Sequence, residues 1–262
     1  MGVLNVTPDS FSDAGLDRDP DSAAARGLDL FEAGADIVDV GGESTRPGGA
    51  PMDPEAEIRR VVPVVEALRR RSAGLVSVDT TKAAVASAAL DAGADIVNDV
   101  SGLSFDPGLA ALVARRGVPV VLMHLRGEFA TMHRDPSYGD VMGEVVAELR
   151  AAVGRAEGAG VRRAQVIVDP GIGFSKAASH SLEVIRRLPE LAELDLAVMA
   201  GPSRKSFIGR VLDLPVGERV MGTAAAVAAC VLGGAHIVRV HDVREMVQVV
   251  RMCDAIRGER AA

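Results

Sequence analysis

Short apolar runs alternate with longer segments of helical periodicity along the whole chain. The runs are rich in β-branched residues and end at polar or turn residues, which predicts β-strands. They lie at residues 3–6, 37–40, 75–78, 96–99, 118–123, 165–169, 196–200 and 236–240. The segments between the runs carry apolar residues at helical spacing, which predicts helices. These lie at residues 22–33, 54–71, 82–92, 108–116, 141–158, 179–188, 218–232 and 243–257.

Strands that alternate with helices of this length predict an α/β fold with βα units and a parallel sheet. In a chain of 262 residues, eight such units fit a single closed (β/α)8 TIM barrel better than an open sheet. The alternative is a doubly wound dinucleotide-binding sheet, but GGESTRPGG at 41–49 lacks GxGxxG spacing and no GxxxxGK[ST] segment occurs. No Pro/Ser-rich linker divides the chain, so we expect residues 1–262 to form one domain.

Composition disfavours several classes of protein. The formal net charge of −7 and the aromatic content of 3% disfavour a protein that coats nucleic acid. No apolar run reaches the ~18 residues of a membrane-spanning helix, and no signal peptide opens the chain. Cys230 and Cys253 lack CxxC spacing, which predicts two buried thiols in a reduced, cytoplasmic protein.

Polar residues stand at the carboxyl end of nearly every predicted strand, where a (β/α)8 enzyme has its active site. They are Asn5, Asp39, Asp79, Asn98, His124, Asp169, the Ser-Arg-Lys segment 203–205, Arg239 and His241. One polar strand end would say little, because loops are polar in general. So many of them on one rim indicate a substrate site.

One part of this rim suits a heterocycle. The carboxylates of Asp79 and Asp169 accept paired N–H donors, and the amide of Asn98 serves donors and acceptors together. These groups can satisfy a flat, donor-rich ring at several points.

The other part of the rim suits an anion. Cations gather after the seventh and eighth strands, where barrel enzymes often bind phosphate. Arg239 and His241, with Arg46 from the second loop, would suit a phosphate or diphosphate, and the oxygen of Asn5 would suit Mg²⁺. An isolated Arg46 or Arg204 would fit a surface salt bridge equally well.

No nucleophile is evident in the sequence. There is no GxSxG segment, and neither cysteine stands near a strand end. The five histidines show no HxxxH spacing, so we assign no transition metal. A diphosphate clamp without a nucleophile indicates that a second substrate displaces diphosphate.

Eight segments in order along the chain resemble those of bacterial dihydropteroate synthases. They are GVLNVTPDSFSDAGL (2–16), VDVGGESTRPGG (38–49), VSVDTTKAAVASAAL (76–90), IVNDVSG (96–102), VVLMHLRGEFATM (120–132), VIVDPGIGFSKAASHSLEVI (166–185), GPSRKSFIG (201–209) and VRVHDV (238–243). The resemblance implies a cytoplasmic transferase of folate biosynthesis and a target of sulfonamides. Such an enzyme joins 6-hydroxymethyl-7,8-dihydropterin diphosphate to p-aminobenzoate and releases diphosphate with the help of Mg²⁺.

The same resemblance assigns site residues, motif by motif. The pterin would contact Asp79, Asn98, Met123, Asp169, Phe174 and Lys205. The diphosphate would contact Asn5, Thr45, Arg46, Arg239 and His241, with Asn5 as the ligand of Mg²⁺. The p-aminobenzoate would contact Phe11, Thr45, Pro47, Phe174, Lys205 and Ser206. The catalytic set would be Asp79, Asp169, Lys205 and Arg46.

Two features depart from the family pattern. Pro202 stands where the family usually carries Thr or Ala, so the backbone beside Lys205 loses an N–H donor. The chain also begins directly on the first strand, whereas family members generally carry a short segment before GVLNV. We therefore expect either an internal start or a less well covered lower end of the barrel.

Two rival functions remain open at this point. A pterin-binding barrel of a corrinoid methyltransferase system would share the fold and the acidic pocket, but it would lack the SRK and RVH segments. A non-catalytic paralogue that binds a partner would be expected to lose polar strand ends. A homodimer is also expected, because GTAAAVAACVLGG at 222–234 is apolar around its whole circumference.

Overall fold

The computed structural model describes residues 1–6, 19–43, 52–129, 131–132 and 136–258. The strands are β1 (Gly2–Asn5), β2 (Ile37–Gly41), β3 (Leu75–Asp79), β4 (Ile96–Asp99), β5 (Val120–Met123), β6 (Val166–Asp169), β7 (Ala197–Ala200) and β8 (Ile237–Val238). The α-helices are α1 (Pro20–Glu32), α2 (Pro54–Arg71), α3 (Ala83–Asp91), α4 (Pro107–Arg116), α5 (Val141–Gly158), α6 (Ala178–Arg186), α7 (Ser206–Leu212), α8 (Val220–Leu232) and α9 (Val243–Arg257). Every predicted strand and helix is present, within a few residues of its predicted bounds.

All eight strands are parallel and pair in chain order from β1 to β8. Hydrogen bonds between the two ends of this order close the sheet on itself. The N–H of Val3 donates to the carbonyl of Val240 at 3.0 Å, and the N–H of Val240 donates to the carbonyl of Met1 at 2.9 Å. The predicted (β/α)8 barrel is therefore confirmed.

Helix α2 shows why its predicted bounds match the structure at both ends. Asp53 caps its first turn by accepting the N–H of Ala56 at 3.2 Å, and Pro54 occupies the first helical position. Its first turn is acidic and its last turn is basic, which complements the helix dipole. The sequence therefore marks both ends of this helix, through its N-terminal cap and through the charges of its first and last turns.

Helix α7 is absent from the sequence-based prediction, which placed one helix between β7 and β8. It has seven residues, too few to show a helical period of apolar positions. It lies between β7 and α8 and begins at Ser206, directly after Lys205.

The interior of the barrel has an apolar layer below a polar one. Met1, Ile37, Ile96, Val121 and Met199 form one buried cluster, with Ile167 and Ile237 packed against it. Because side chains alternate along a strand, the residues two positions further on also point inward, one layer nearer the carboxyl ends. On β2, β4, β5 and β6 and directly after β8 those residues are Asp39, Asn98, Met123, Asp169 and Arg239, and all but Met123 are polar; after Met1 and Met199 they are Val3 and Gly201. The sequence thus changes from apolar to polar within one layer of the barrel.

Within the described parts of the chain, each helix is too short or too polar to cross a lipid bilayer.

Candidate active site

The strand register places the predicted rim residues side by side. Asn5 pairs with Gly41, Gly41 with Asp79, and Asp79 with Asn98, so these positions form one row across β1 to β4. Met123 and Asp169 are paired in the same way at the ends of β5 and β6. The parallel register therefore gathers side chains that lie far apart in the sequence.

A buried arginine joins two carboxylates at the mouth of the barrel. Arg239 Nε lies 2.7 Å from Asp39 Oδ2, and its Nη2 lies 2.7 Å from Asp79 Oδ2. Asn98 Nδ2 donates to the same Asp39 oxygen at 3.0 Å. The predicted diphosphate ligand Arg239 thus uses two of its three nitrogens on carboxylates that stand at the pterin end of the rim.

Asp39 differs from its predicted position at a strand end. It lies in the middle of β2 and is fully buried, in the inward-facing layer that also holds Asn98 and Arg239. There it accepts hydrogen bonds from Arg239 and Asn98. The prediction that Asp39 stands at the end of its strand was wrong, because β2 continues for two residues to Gly41.

Of the two predicted pterin carboxylates, Asp169 is buried and Asp79 is half-buried, and loss of solvent changes the acidity of both. Burial raises the pKa of Asp79 to about 7 against the opposing charge of Arg239, with the carboxylate of Asp39 adding to the rise. Burial also raises the pKa of Asp169, opposed by the N–H of Gly171, which donates to Asp169 Oδ1 at 2.7 Å, and by the charge of Lys205. Both groups are therefore poised to respond to a ligand that donates hydrogen bonds.

Lys205 and Phe174, predicted to line the same pocket, are in contact. Lys205 Nζ lies 3.8 Å from the centroid of the Phe174 ring, a cation–π geometry. Burial lowers the pKa of Lys205 to about 8, and the charge of Arg239 adds to this effect. Gly173 has φ +79°, and a Cβ there would lie 3.0 Å from Lys205 Cδ, so a larger residue would crowd this contact. Ser206 follows at the exposed start of α7.

His241 is a neutral donor rather than the cation that the sequence suggested. Its Nδ1 lies 3.0 Å from Ser203 Oγ, and its backbone N–H donates to the same oxygen at 3.2 Å. Burial lowers the pKa of His241 to about 4, and the charges of Arg239 and Arg204 add to this effect. In the tautomer in which Ser203 donates to Nδ1, Nε2 is the nitrogen that carries the proton.

Pro202 and Arg204, the two residues that flank Ser203 in the turn before Lys205, also have structural partners. Arg204 pairs with Asp242 through Nε at 3.0 Å and also through Nη2, so it is the salt bridge that one interpretation of the sequence allowed. Arg204 has φ +56°, and the N–H of Lys205 donates to the Pro202 carbonyl at 3.4 Å. Pro202 is thus accommodated in the turn that presents Lys205.

The predicted residues of the first two loops, namely Phe11, Thr45, Arg46 and Pro47, lie outside the described residues. The described ends of the second loop are joined by a cluster that the sequence analysis missed. Glu43 accepts the N–H of Met52 at 2.8 Å, and Lys82 Nζ lies 2.5 Å from both Glu43 and the buried Glu57. The sequence signal for this cluster is that Glu43 and Lys82 each closely follow one of two neighbouring strands, β2 and β3.

Two side-chain oxygens lie close to Gly41, one of them from the predicted magnesium ligand. A Cβ built on Gly41 would lie 3.6 Å from both Asn5 Oδ1 and Asp79 Oδ2. The described residues contain no group of three or more His, Cys, Asp or Glu side chains that could hold a metal ion. This site fits Mg²⁺, which takes oxygen ligands and keeps most of them from water and substrate phosphate.

Known proteins share this fold and sequence. The family model for pterin-binding enzymes matches residues 1–241. A dihydropteroate synthase of Synechocystis is 46% identical over 98% of this chain and 89% of its own length. The crystal structure of the Yersinia pestis dihydropteroate synthase with a sulfonamide drug complex has a TM-score of 0.94 and 41% identity, over 98% of this chain and 94% of that one.

A third comparison concerns a ligand. The Xanthomonas albilineans dihydropteroate synthase with 4-aminobenzoic acid has a TM-score of 0.92 and 43% identity, over 98% of this chain and 92% of that one. Together with the acidic, arginine-bridged rim, these matches show that the chain belongs to the family of pterin-binding enzymes.

Proposed function

We propose that this protein catalyses the dihydropteroate synthase reaction: it joins 6-hydroxymethyl-7,8-dihydropterin diphosphate to p-aminobenzoate and releases diphosphate. The observation that carries the proposal is the layer of acceptors above the apolar floor. Asp79, Asn98 and Asp169 supply carboxylate and amide oxygens for the N–H groups of a flat pterin. The names of the similar proteins support the same activity.

The reaction breaks the C–O bond between the pterin methylene and diphosphate and forms a C–N bond to the arylamine, which loses a proton. The arylamine itself is the nucleophile. Cys230 cannot take this part, because burial raises its pKa to about 12 and it lies in α8. The carboxylates of Asp79 and Asp169 stabilise the positive charge that develops on the pterin as diphosphate leaves.

Asn5 would hold Mg²⁺ beside the diphosphate through its side-chain oxygen, which lies close to Gly41 and Asp79. When bound, the ion would neutralise charge on the departing diphosphate. His241 adds an uncharged N–H donor on the opposite part of the rim. The third nitrogen of the Arg239 guanidinium adds a charged one.

The arylamine pocket would lie against the ring of Phe174, with Lys205 beside it and Ser206 at the exposed end of α7. The 4-aminobenzoic acid in the Xanthomonas albilineans relative supports this substrate. Sulfonamides, represented in the Yersinia pestis relative, would compete there with p-aminobenzoate.

The proposed function is tested by incubating the protein with the pterin diphosphate, p-aminobenzoate and Mg²⁺. Diphosphate release and the mass of 7,8-dihydropteroate are followed together. The expected result is equal formation of both products, dependent on p-aminobenzoate. Diphosphate release that does not need p-aminobenzoate, or no release above a protein-free control, would contradict the proposal.

We also place the protein in the cytoplasm as a homodimer. Both cysteines are buried thiols, as predicted, which suits a reducing compartment. Helix α8 exposes a stripe of Met221, Ala225, Ala229 and Leu232, with Met221 76% exposed. A second copy of the chain is the proposed cover for this stripe.

The two parts of the rim should separate in binding experiments. Asp169→Asn puts an amide donor against the N–H groups of the pterin, so the affinity for a plain pterin should fall by about 1–3 kcal/mol. His241→Ala should leave plain-pterin binding intact and slow turnover of the diphosphate substrate. Calorimetry and steady-state kinetics measure these effects. Loss of plain-pterin binding in His241→Ala, with binding retained in Asp169→Asn, would reverse the assignment.

Pterin binding should depend on pH through Asp79. Its pKa of about 7 leaves the carboxyl partly protonated at neutral pH, and only the carboxylate accepts two N–H donors. Affinity for a plain pterin should therefore rise about tenfold from about pH 6 to about pH 8. Asp79→Asn should bind weakly and lose this rise, while the ionisation of the pterin itself is common to both proteins. Parallel pH profiles for the two proteins would count against the role of Asp79.

The dimer surface should be sensitive to charge on α8. Met221→Asp places an unpaired carboxylate in the proposed interface, so the protein should become monomeric in light scattering at micromolar concentration. Met252→Asp is the matched control, because Met252 is 62% exposed on α9. A monomeric wild type would disprove the dimer, and dissociation by Met252→Asp alone would move the interface to α9.

A further inference from the structure

Lys176 is a buried lysine to which the proposed reaction gives no part. It is 5% exposed, and its Nζ lies 2.9 Å from His124 Nδ1 and 3.2 Å from the carbonyl oxygen of Phe174. In the described part of the chain, no carboxylate forms an ion pair with it. Burial lowers the pKa of Lys176 to about 7, and the amino group donates to both partners whether or not it is charged. A charge buried against neutral partners costs free energy, so this arrangement points to a role in the site rather than in stability.

His124 holds the amino group of Lys176 in place. It follows β5, is buried, and its Nε2 lies 3.0 Å from Glu148 Oε2. Burial lowers the pKa of His124 to about 2, and the charges of Lys176 and Arg126 add to this effect. In its neutral form, Nε2–H donates to Glu148 and Nδ1 accepts from Lys176. The position of Nζ is therefore set by a chain of side chains that reaches the surface on α5.

The residue between Phe174 and Lys176 is also fixed. Ser175 Oγ accepts the N–H of Arg126 at 2.9 Å and donates to the Arg126 carbonyl at 2.7 Å. Tyr138 Oη donates to the Ser175 carbonyl at 3.0 Å. These bonds hold Ser175 at φ +50°, a conformation that a non-glycine residue adopts only when its surroundings require it.

The effect of these contacts falls on the Phe174 ring. The Phe174 N–H donates to the Gly171 carbonyl at 3.0 Å, while Lys176 binds its carbonyl. Both ends of the residue are thus held, and the ring is left against Lys205. Phe174 is half-buried, so no tight packing replaces this control of its backbone.

We propose that Lys176 is a positioning residue for the arylamine: its ammonium, held by His124, fixes the backbone of Phe174 and hence the ring against which p-aminobenzoate packs. The expected effect on turnover rests on the proposed function. The hold of Lys176 on residue 174 does not depend on that function.

A second route, in which the charge of Lys176 acts on Asp169, would give a different experimental result. The charges that act on Lys176 are those of Asp169, Arg126, Glu148 and Lys205. If Lys176 acted on Asp169 by its charge, its removal would weaken plain-pterin binding whatever residue stood at 174. If it acts through the backbone of Phe174, the effect disappears once the ring is removed.

The first test is a double-mutant cycle of Lys176→Met with Phe174→Leu. Methionine keeps the length of the side chain and removes both hydrogen bonds, and loss of a buried charge is seldom destabilising when the replacement packs well. In the wild-type background the KM for p-aminobenzoate should rise about tenfold, and in the Phe174→Leu background it should change less than about twofold. Equal effects in both backgrounds would overturn the proposal.

A matched control uses the other buried lysine cluster of the rim. Lys82→Met removes a lysine that bonds Glu43 and Glu57, so its effect should add to that of Phe174→Leu. If Lys176→Met does not fold, Tyr138→Phe takes its place, because it removes one hydrogen bond from the adjacent Ser175 carbonyl. A smaller rise in the same KM is expected, again absent in the Phe174→Leu background; a rise that persists there would overturn the proposal.

The second test needs no turnover. The chain contains no tryptophan, so Phe174→Trp introduces a single tryptophan at the ring in question, which is excited at wavelengths that Tyr138 does not absorb. Adding Lys176→Met should lower its anisotropy and raise its quenching by acrylamide about twofold, and adding Lys82→Met should change neither. Unchanged fluorescence with Lys176→Met would overturn the proposal. If the wild-type protein shows no synthase activity, the proposed function is refuted. A fluorescence change caused by Lys176→Met would still support the hold on residue 174.

Discussion

The guanidinium of Arg239 bridges the buried carboxylates of Asp39 and Asp79, and the chemistry of the rim depends on this contact. Strand β8 has two residues, so Arg239 follows a very short element and needs contacts across the barrel to hold its place. It finds them on β2 and β3, at 2.7 Å in each case. Burial raises the pKa of Asp79 to about 7 although the charge of Arg239 opposes the rise, and the neighbouring carboxylate of Asp39 adds to it.

The same constraint organises the site around it. Asp39 also receives the amide of Asn98, so one buried carboxylate orients a cation and an amide of the proposed pterin site. The apolar cluster that contains Ile37 and Ile96 closes the barrel directly below. A pterin would thus meet fixed acceptors above an apolar floor, which is the arrangement that makes hydrogen bonds selective. Its diphosphate would face the amide of Asn5, the neutral imidazole of His241 and the third nitrogen of the Arg239 guanidinium.

The sequence predicted the barrel and most of the rim, because the relevant signals are local. Strand β4 and helices α2, α5 and α9 match their predicted bounds at both ends. The strand ends of Asp79, Asn98 and Asp169 follow from register once the strands are known to be parallel. The roles of the individual rim residues stay predictions from resemblance.

What the sequence could not supply are contacts across the barrel and between loops. Asp39 belongs to the interior because β2 continues past it, and Arg239 reaches it across a separation of 200 residues. The hold of Lys176 on Phe174 depends on a histidine from the preceding loop and on a serine in a left-handed conformation. His241 is neutral because of its burial and its neighbours, which no motif reports.

The dependence of the rim on the bridge between Asp39 and Arg239 can be measured as the affinity of the Asp39→Asn variant for a plain pterin, by calorimetry beside Ser77→Ala. Ser77 is the matched control: it is buried in register with Asp39, and its Oγ has no hydrogen-bond partner among the described residues. Asp39→Asn removes the charge that holds Arg239 and sets an amide against Asn98. This dependence predicts that Asp39→Asn loses at least about tenfold in pterin affinity, while Ser77→Ala stays within about twofold of wild type. Wild-type affinity in Asp39→Asn would contradict it.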